Sequence, residues 1–419
     1  MKRSRRGHKT ICMRFDSQEH YEACVRDNET FRQHIESEYG QHPELFPPEM
    51  GSGFSFHDSR ISAKLKLKTR RILMSASGEA YQIRASFVMP YNVALTEDVE
   101  KGLFFRQWGV SFDALAYGFG GNAMFWYRMT VSVGRASIVG TTVKSPEVLP
   151  KHIVADEKHT QLKDEKAYVA TTAAHNVFLG AEVTTSASSV ALKKGYGEFA
   201  QEAANVDPEY LPETVCVDPW DATRKAFETL FPNAAIILCF LHSILKVGKC
   251  KGKGALRQLR AKVAGRAWYV YRAPTKVAFS QRMRRLREWA VANLPVGQLL
   301  DAVNAMSAKR SSFTLAYDFD SPHRTTNGVD RLMDHMDRVL YAMRYLHGDL
   351  HSASLAMRSM ALIWNFHPYG LRARPNAGRT ASPFSELNGF CYHDNWLQNL
   401  LIASSMGGWR TSTTAKHRD

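Results

Sequence analysis

The sequence of 419 residues lacks the features that mark several special classes of protein. It contains no run of roughly 18 apolar residues, the length that a membrane-spanning helix requires. Its six cysteines form no C-x-x-C pair, which argues against a zinc knuckle and against a disulfide framework. It has no long polar low-complexity tract, and its first residues lead into polar sequence rather than an apolar signal segment. We therefore expect a globular, cytoplasmic protein without a membrane partner, with disorder only at its ends.

Acidic residues are scarce relative to basic ones. The chain has 55 Lys and Arg against 40 Asp and Glu, a net charge of +15. This balance favours a polyanionic partner over a small-molecule substrate, although solubility or an anionic membrane surface would explain it equally well. The segment from Lys246 to Arg287 contains no Asp or Glu, and Trp268, Tyr269 and Tyr271 lie among its basic residues. The periodicity of this segment predicts helices. Their basic and aromatic residues favour a nucleic-acid surface, with an ordinary solvated helical face as the alternative.

The length of the chain predicts about two to four structural units. We expect boundaries near residues 100, 146, 245 and 320. Residues 1–100 form a mixed N-terminal region without an assigned role, and 101–146 form a short helical segment. Residues 147–245 and 321–419 have the pattern of an α/β domain and its C-terminal tail, and 246–320 form the basic helical stretch between them.

The segment 101–146 predicts two short helices joined by a glycine turn. Ser111 is a candidate N-cap for the first helix, Gly120 and Gly121 end it, and the second is predicted over Ala123–Val133. This outline is that of a helix-turn-helix, whose second helix can enter a major groove, with an ordinary helical hairpin as the alternative. Arg128 and Arg135 are the candidate DNA contacts of this segment.

The segment after Lys151 predicts a sheet. Apolar runs at 153–155, 167–172 and 177–183 indicate three successive strands, hence an antiparallel meander. A helix over 190–204, a strand over 214–217, a helix over 222–230 and an apolar strand over 234–241 follow. Strand, helix and strand in this order are typical of a parallel βαβ unit with a buried sheet.

Two aspartates follow predicted strands directly. Asp156 comes after the apolar residues 153–155 and Asp218 after 215–217, so each is expected at a strand end, where α/β sheets place their ligands. Phosphodiester chemistry can use two divalent ions about 4 Å apart, and Mg²⁺ prefers oxygen ligands such as carboxylates. Taken singly, each aspartate is more often a turn residue.

A third candidate carboxylate is Asp330, in the first turn of a long amphipathic helix. A structural explanation competes with a catalytic one here. Asn327 can cap this helix, and Asp330, three residues later, can close a capping box and interact with the helix dipole.

The order of these features resembles the catalytic core of Mutator-related bacterial insertion-sequence transposases of the DDE type. The shared pattern is strand-Asp156, strand-Asp218, the C-x-x-H pair of Cys239 and His242, a basic helical insertion, and Thr-Asn-x-x-acid ending at Asp330. The resemblance covers roughly residues 151–345. It departs from the family at the third acid, which is usually glutamate and here is the shorter aspartate.

The resemblance implies a ribonuclease-H-like α/β catalytic core with an all-helical insertion at 246–320. It implies a DNA transposase in which Asp156, Asp218 and Asp330 bind two Mg²⁺ or Mn²⁺ ions per active site. Cys239, His242 and Asn327 would support the site, and Glu157 is the next choice for a nearby carboxylate. The expected DNA contacts of the insertion are Lys251, Lys253, Arg257, Arg260, Lys262 and Arg266.

The implied partners are the double-stranded terminal inverted repeats of an element and the target DNA. A homodimer or larger oligomer on DNA is expected, associated with the nucleoid if the protein is prokaryotic. Two alternatives remain: a related nuclease that cleaves without strand transfer, and a catalytically inactive DNA-binding protein derived from a transposase.

Overall fold

The computed structural model describes residues 9–63, 65–251, 254–370 and 381–409, which form a mixed α/β protein with two sheets. The strands are β1 (Thr10–Met13), β2 (Phe54–Ile61), β3 (Lys68–Met74), β4 (Ala80–Ala85), β5 (His152–Leu162), β6 (Glu165–Ala174), β7 (Val177–Thr184), β8 (Thr214–Val217) and β9 (Ala235–Leu238). The first eight helices are α1 (Gln18–Arg26), α2 (Asn28–Gln41), α3 (Thr96–Gln107), α4 (Phe112–Phe119), α5 (Ala123–Val133), α6 (Ile138–Thr142), α7 (Ser189–Val206) and α8 (Asp221–Leu230). The later helices are α9 (Phe240–Lys249), α10 (Ala255–Tyr271), α11 (Lys276–Asn293), α12 (Gln298–Ala308), α13 (Arg310–Thr314), α14 (Asn327–Ala342), α15 (Leu350–Phe366), α16 (Pro383–Asn388) and α17 (Trp396–Ala403).

The N-terminal sheet has the strand order β1-β4-β3-β2. β1 pairs with β4 in parallel, and the other two pairs are antiparallel. Two consecutive helices, α1 and α2, lie between β1 and β2. Asp27 separates them: α1 ends there, and the Asp27 carboxylate caps α2 by accepting the Thr30 backbone N–H at 2.8 Å. This mixed region agrees with the expectation from the sequence.

The second sheet has the strand order β7-β6-β5-β8-β9. Its first half is the antiparallel meander predicted from the sequence, formed by β5, β6 and β7. Its second half is parallel, with β8 beside β5 and β9 beside β8, and α8 connects β8 to β9. The parallel βαβ unit is therefore confirmed.

Helices cover both faces of this second sheet. Strand residues alternate between faces, so Ile153 and Ala155 belong to the hydrophobic cluster formed with α7 and α8. Val154, between them, belongs to the cluster on the opposite face, which includes Met336 of α14 and Met357 of α15. Every residue of β7 and β8 is buried, as expected for strands covered on both sides.

The helical segment before the second sheet packs tightly against α15. The predicted helix Ala123–Val133 is confirmed as α5, and Ser111 caps α4 by accepting the Ala114 N–H at 3.3 Å. At Gly134, a Cβ atom would lie 2.1 Å from the carbonyl oxygen of Leu355, so only glycine permits this approach of α5 to α15.

The segment between β9 and α14 is helical, comprising α9 to α13 and a short 3₁₀ turn. The strand predicted over 234–241 is too long, because β9 ends at Leu238 and Cys239 is already the N-cap of α9. Within the described ranges, no helix combines the length and the apolar character that crossing a bilayer would require.

Candidate functional site

Asp156 and Asp218 meet because of the register of the parallel strands. Ala155 is paired with Val217, so the next residue of each chain segment is one of the two aspartates. Val217 is also paired with Leu238 of β9, and Cys239 comes next. Asp156, Asp218 and Cys239 therefore lie side by side at the carboxyl edge of the parallel strands.

The prediction that Asp156 ends its strand is wrong. β5 continues to Leu162 along its antiparallel neighbour, in which Asp156 is paired with Thr171. Only the parallel pairing with β8 stops at Ala155, so the sheet opens next to Asp156 while the strand goes on. The parallel part of the sheet therefore has an open carboxyl edge at Asp156, where a ligand can bind, although β5 itself does not end there.

Glu157 joins the two aspartates in one group. One carboxylate oxygen from each of Asp156, Glu157 and Asp218 lies within 4.8 Å of the others. The Glu157 Oε1 atom accepts hydrogen bonds of 2.5 Å from the hydroxyls of Tyr196 on α7 and Thr223 on α8. Its other oxygen, Oε2, is buried and has no hydrogen-bond donor in the part of the chain that the structure describes. Glu157 is thus part of the site and not only a neighbour in sequence.

The two adjacent acids on β5 are hard to ionise. Burial raises the pKa of Asp156 to about 6, and the charge of Asp218 adds to this effect. Burial raises the pKa of Glu157 to about 7, against the hydrogen bonds from Thr223 and Tyr196. Three carboxylates that repel one another, with Glu157 buried and one of its oxygens unpaired, suit a hard divalent cation.

Asp330 lies in the first turn of α14 and does not belong to this tight group. Its side chain is half-buried, and burial raises its pKa while the neighbouring His242 acts to lower it. Its charge contributes to raising the pKa of Asp156, so it faces the same region. The structure brings the three predicted acids to one area, with Asp330 further out than the other two.

The capping explanation for Asp330 is wrong in its details. The N-cap of α14 is Thr326, and no side-chain hydrogen bond caps this helix among the residues described. Asn327 is the first helical residue and is exposed. The capping box that would account for Asn327 and Asp330 is therefore not formed.

The C-x-x-H pair connects α14 to the sheet edge. The Sγ atom of buried Cys239 accepts hydrogen bonds from the Thr326 backbone N–H at 3.3 Å and from its hydroxyl at 3.4 Å. Burial acts to raise the pKa of this thiol, but the hydrogen bonds of His242 and Thr326 outweigh it, and the pKa is lowered. The pKa of His242 is raised, first by Cys239 and also by Asp156 and Asp218. Cys239 and the two aspartates therefore favour the protonated form of His242.

An aromatic surface adjoins the acids, and sequence reasoning missed it. Trp220 lies two residues after Asp218, whose Oδ1 atom accepts the Trp220 backbone N–H at 3.2 Å. The Trp220 ring stacks on His159 with centroids 5.9 Å apart and meets Tyr168 edge-on at 6.3 Å. His159 is exposed and the other two are half-buried. These residues come from three segments: sheet pairing sets His159 beside Tyr168, and Trp220 joins them from the connection between β8 and α8.

The predicted DNA contacts of the basic helices differ in their surroundings. Lys251, Arg257, Lys262 and Arg266 are exposed, and the Arg266 guanidinium lies 4.5 Å from the Trp289 ring centroid. Arg260 is half-buried and donates to the Cys250 carbonyl oxygen at 2.9 Å, a structural contact. Lys253 lies outside the described residues.

The two arginines of the helix-turn-helix-like segment also differ. Arg128 is exposed on α5. Arg135 is half-buried, and its guanidinium lies 4.6 Å from the ring centroid of Tyr91. The exposed side chains of α4 and α5 include the apolar residues Tyr117 and Met124. Arg128 is thus the better placed of the two for a contact with a ligand.

No protein-family model matches the chain, and no curated protein matches it significantly. The site consists of Asp156, Glu157 and Asp218 at one sheet edge, with Asp330 on the adjoining helix. Such a group can hold hard divalent cations beside an aromatic surface that is partly open to solvent.

Proposed function

We propose that the protein is a DNA transposase of the DDE type, which cuts DNA at the ends of a mobile element and joins them to target DNA. The observation that carries the proposal is the convergence of Asp156 and Asp218 at the carboxyl edge of adjacent parallel strands, with Asp330 on α14 beside them. An antiparallel meander followed by two parallel strands is also the sheet expected of a ribonuclease-H-like domain, and α9 to α13 would be its insertion.

The residues of the site fit metal-dependent phosphodiester chemistry. Asp156 and Asp218 would hold Mg²⁺ or Mn²⁺ from the sheet, and Asp330 would contribute from the helix. Two such ions, when bound, activate an attacking oxygen and stabilise a leaving one. Cys239 and Thr326 fix the start of α14 against the sheet edge, which sets the distance of Asp330 from the other acids. His242, whose protonated form these acids favour, would place positive charge beside them.

The proposed reaction has two steps at phosphorus. In the first, the oxygen of a water molecule attacks the phosphate at the element end, and the bond to the 3′ oxygen breaks to leave a free 3′-hydroxyl. In the second, that 3′-hydroxyl attacks a phosphate of the target strand, and the target's own 3′ oxygen leaves. The exposed residues Lys251, Arg257, Lys262 and Arg266 would contact the phosphate backbone, so binding should weaken steeply as salt rises.

The proposal is tested with DNA that carries the inverted repeats flanking the gene. We expect the full-length protein with Mg²⁺ or Mn²⁺ to nick at the repeat ends and to yield strand-transfer products into a target plasmid. Asp218→Asn should reduce both products by about 10²-fold to 10³-fold, because it removes a carboxylate ligand of the ions that would stabilise charge in the transition state. Labelled DNA resolved on denaturing gels measures both products.

The matched control is Asp221→Asn, an exposed aspartate three residues further along, on α8. It should cleave and join at the wild-type rate. Nicking without joined products would support a nuclease in place of a transposase. Binding to the repeats without any cleavage would support the inactive DNA-binding alternative, and equal activity of Asp218→Asn and wild type would refute the catalytic assignment.

The aromatic surface predicts where an unpaired strand lies. Trp220→Ala should weaken the binding of end DNA with a single-stranded overhang roughly tenfold, since stacking of one base contributes about 1–3 kcal/mol. Fluorescence anisotropy of labelled overhang and blunt duplexes measures the change. Phe390→Ala, an exposed aromatic residue in the C-terminal tail, is the control and should bind like wild type. If Trp220→Ala bound overhang DNA as tightly as wild type does, the unpaired strand would not lie on the aromatic surface.

A further inference from the structure

We infer that Glu157 is a third carboxylate ligand of the divalent ion held by Asp156 and Asp218, and that Tyr196 and Thr223 keep its carboxylate in the binding position. The inference rests on the proposed function for the nature of the ion. It adds a ligand on the opposite side of the sheet from Asp330, and it assigns α7 and α8 a part in the site.

The first support is the burial of Glu157 without a compensating cation. Its side chain is 6% exposed, and no Lys, Arg or His is among its hydrogen-bond partners in the residues described. Both hydroxyl donors use Oε1, and Oε2 is buried without a donor there. Buried carboxylates are normally paired or bound to metal, and buried oxygens are normally hydrogen-bonded. A cation at Oε2 would satisfy both requirements.

The second support is the position of this carboxylate. Neighbouring side chains of a strand leave from opposite faces, and Glu157 leaves on the face covered by α7 and α8. Its longer side chain nevertheless brings one oxygen within 4.8 Å of an oxygen from each of Asp156 and Asp218. Three carboxylates at this separation repel one another, and a divalent ion between them would turn the repulsion into attraction.

The third support is the rigidity of the two hydroxyl donors. Tyr196 and Thr223 are fully buried, on different helices, and both donate to the same oxygen at 2.5 Å. This arrangement fixes the carboxylate plane and leaves Oε2 as the oxygen for a ligand. Outer contacts of this kind orient the ligands of metal sites. Tyr196 and Thr223 are therefore positioning residues.

The test measures the binding of Mn²⁺ to the full-length protein without DNA, by the electron paramagnetic resonance signal of free Mn²⁺. Glu157→Gln should raise the Kd at least about tenfold, and Tyr196→Phe and Thr223→Val should each raise it several-fold. Asp156→Asn should remove binding. Glu182→Gln, another buried acid of the same sheet, is the control and should bind like wild type. Circular dichroism establishes that each variant is folded.

The outcomes separate the inference from the proposed function. Unchanged Mn²⁺ affinity in Glu157→Gln, with binding lost in Asp156→Asn, would overturn the inference and leave the proposed function standing. Weaker binding in Glu157→Gln, together with no strand transfer by the wild type, would support the inference and overturn the transposase proposal. Absence of Mn²⁺ binding by the wild type would overturn both. If Glu157→Gln does not fold, Tyr196→Phe and Thr223→Val test the inference in its place, since both retain the Glu157 carboxylate. Unchanged Mn²⁺ affinity in both would then overturn the inference.

Discussion

Asp156→Asn is expected to lose metal-dependent DNA cleavage by about 10³-fold and, at the same time, to stabilise the metal-free protein. The loss follows from the removal of a charged ligand at the sheet edge. The gain follows from the removal of a half-buried negative charge next to two other acids. A substitution at an ordinary structural aspartate would not produce this combination, so it distinguishes a metal site from a structural cluster.

The sign of the stability effect follows from the pKa of Asp156. Burial and the charge of Asp218 raise this pKa to about 6 in the folded protein, above the ordinary value of 3.8. Ionisation is then less favourable in the folded state, so the metal-free protein loses stability as the pH rises from about 4 to about 6. One pKa unit corresponds to about 1.4 kcal/mol, so the difference between 3.8 and about 6 gives a gain of about 3 kcal/mol for Asp156→Asn at pH 7.5.

Denaturant unfolding at pH 4.5 and pH 7.5, with and without Mn²⁺, measures this effect. The advantage of Asp156→Asn should be large at pH 7.5, small at pH 4.5, and reversed when Mn²⁺ stabilises only the wild type. Asp221→Asn should change the free energy of unfolding by less than about 1 kcal/mol at either pH. If Asp156→Asn were less stable than wild type in metal-free buffer at pH 7.5, the assignment of Asp156 would be contradicted.

Arg358→Met is expected to lower the free energy of unfolding by about 3–5 kcal/mol, because it leaves a buried carboxylate unpaired. Arg358 of α15 is buried, and its Nη2 atom lies 2.5 Å from Glu202 Oε1 on α7. The same guanidinium donates to the carbonyl oxygens of Gly134 and Ala136, at 3.1 Å and 2.8 Å. The other Glu202 oxygen accepts the Val139 N–H. This pair thus joins α15, α7 and the segment after α5.

Urea unfolding of three variants tests this expectation. The double variant Arg358→Met with Glu202→Gln should recover part of the loss, since the buried charge is gone. Arg224→Ala, which removes a surface ion pair with Glu228, should change the free energy of unfolding by less than about 1 kcal/mol. A loss below about 1 kcal/mol for Arg358→Met would show that the pair of Arg358 and Glu202 is not required to hold the segment after α5.

Local patterns in the sequence predicted several elements well. The helix Ala123–Val133 matches its prediction, and α14 and β8 also agree. These elements have strong short-range signals: a capping residue after a glycine turn, an amphipathic period, or a short apolar run followed by aspartate. Such signals depend on residues within a few positions of one another, so a sequence shows them directly.

Features that depend on distant residues were missed or misjudged. The extension of β5 to Leu162 depends on its pairing with β6. The start of α14 at Asn327, with Thr326 bonded to Cys239, depends on a contact between positions 87 residues apart. Asn327 as a cap was the natural expectation from its neighbours alone. Tertiary contacts decided otherwise, because Thr326 is held at the sheet edge by the thiol.

The sequence by itself identified the candidate residues of the site, Asp156, Asp218 and Asp330, from their residue type and their order along the chain. Only the tertiary structure decided how they associate. The register of β5 and β8 sets Asp156 beside Asp218, while the reach of Glu157 and the hydroxyls of Tyr196 and Thr223 bring in an acid that alternation alone assigns to the other face. The physical reason is that a strand pattern fixes the direction in which a side chain leaves, whereas its end position depends on packing between segments distant in the chain.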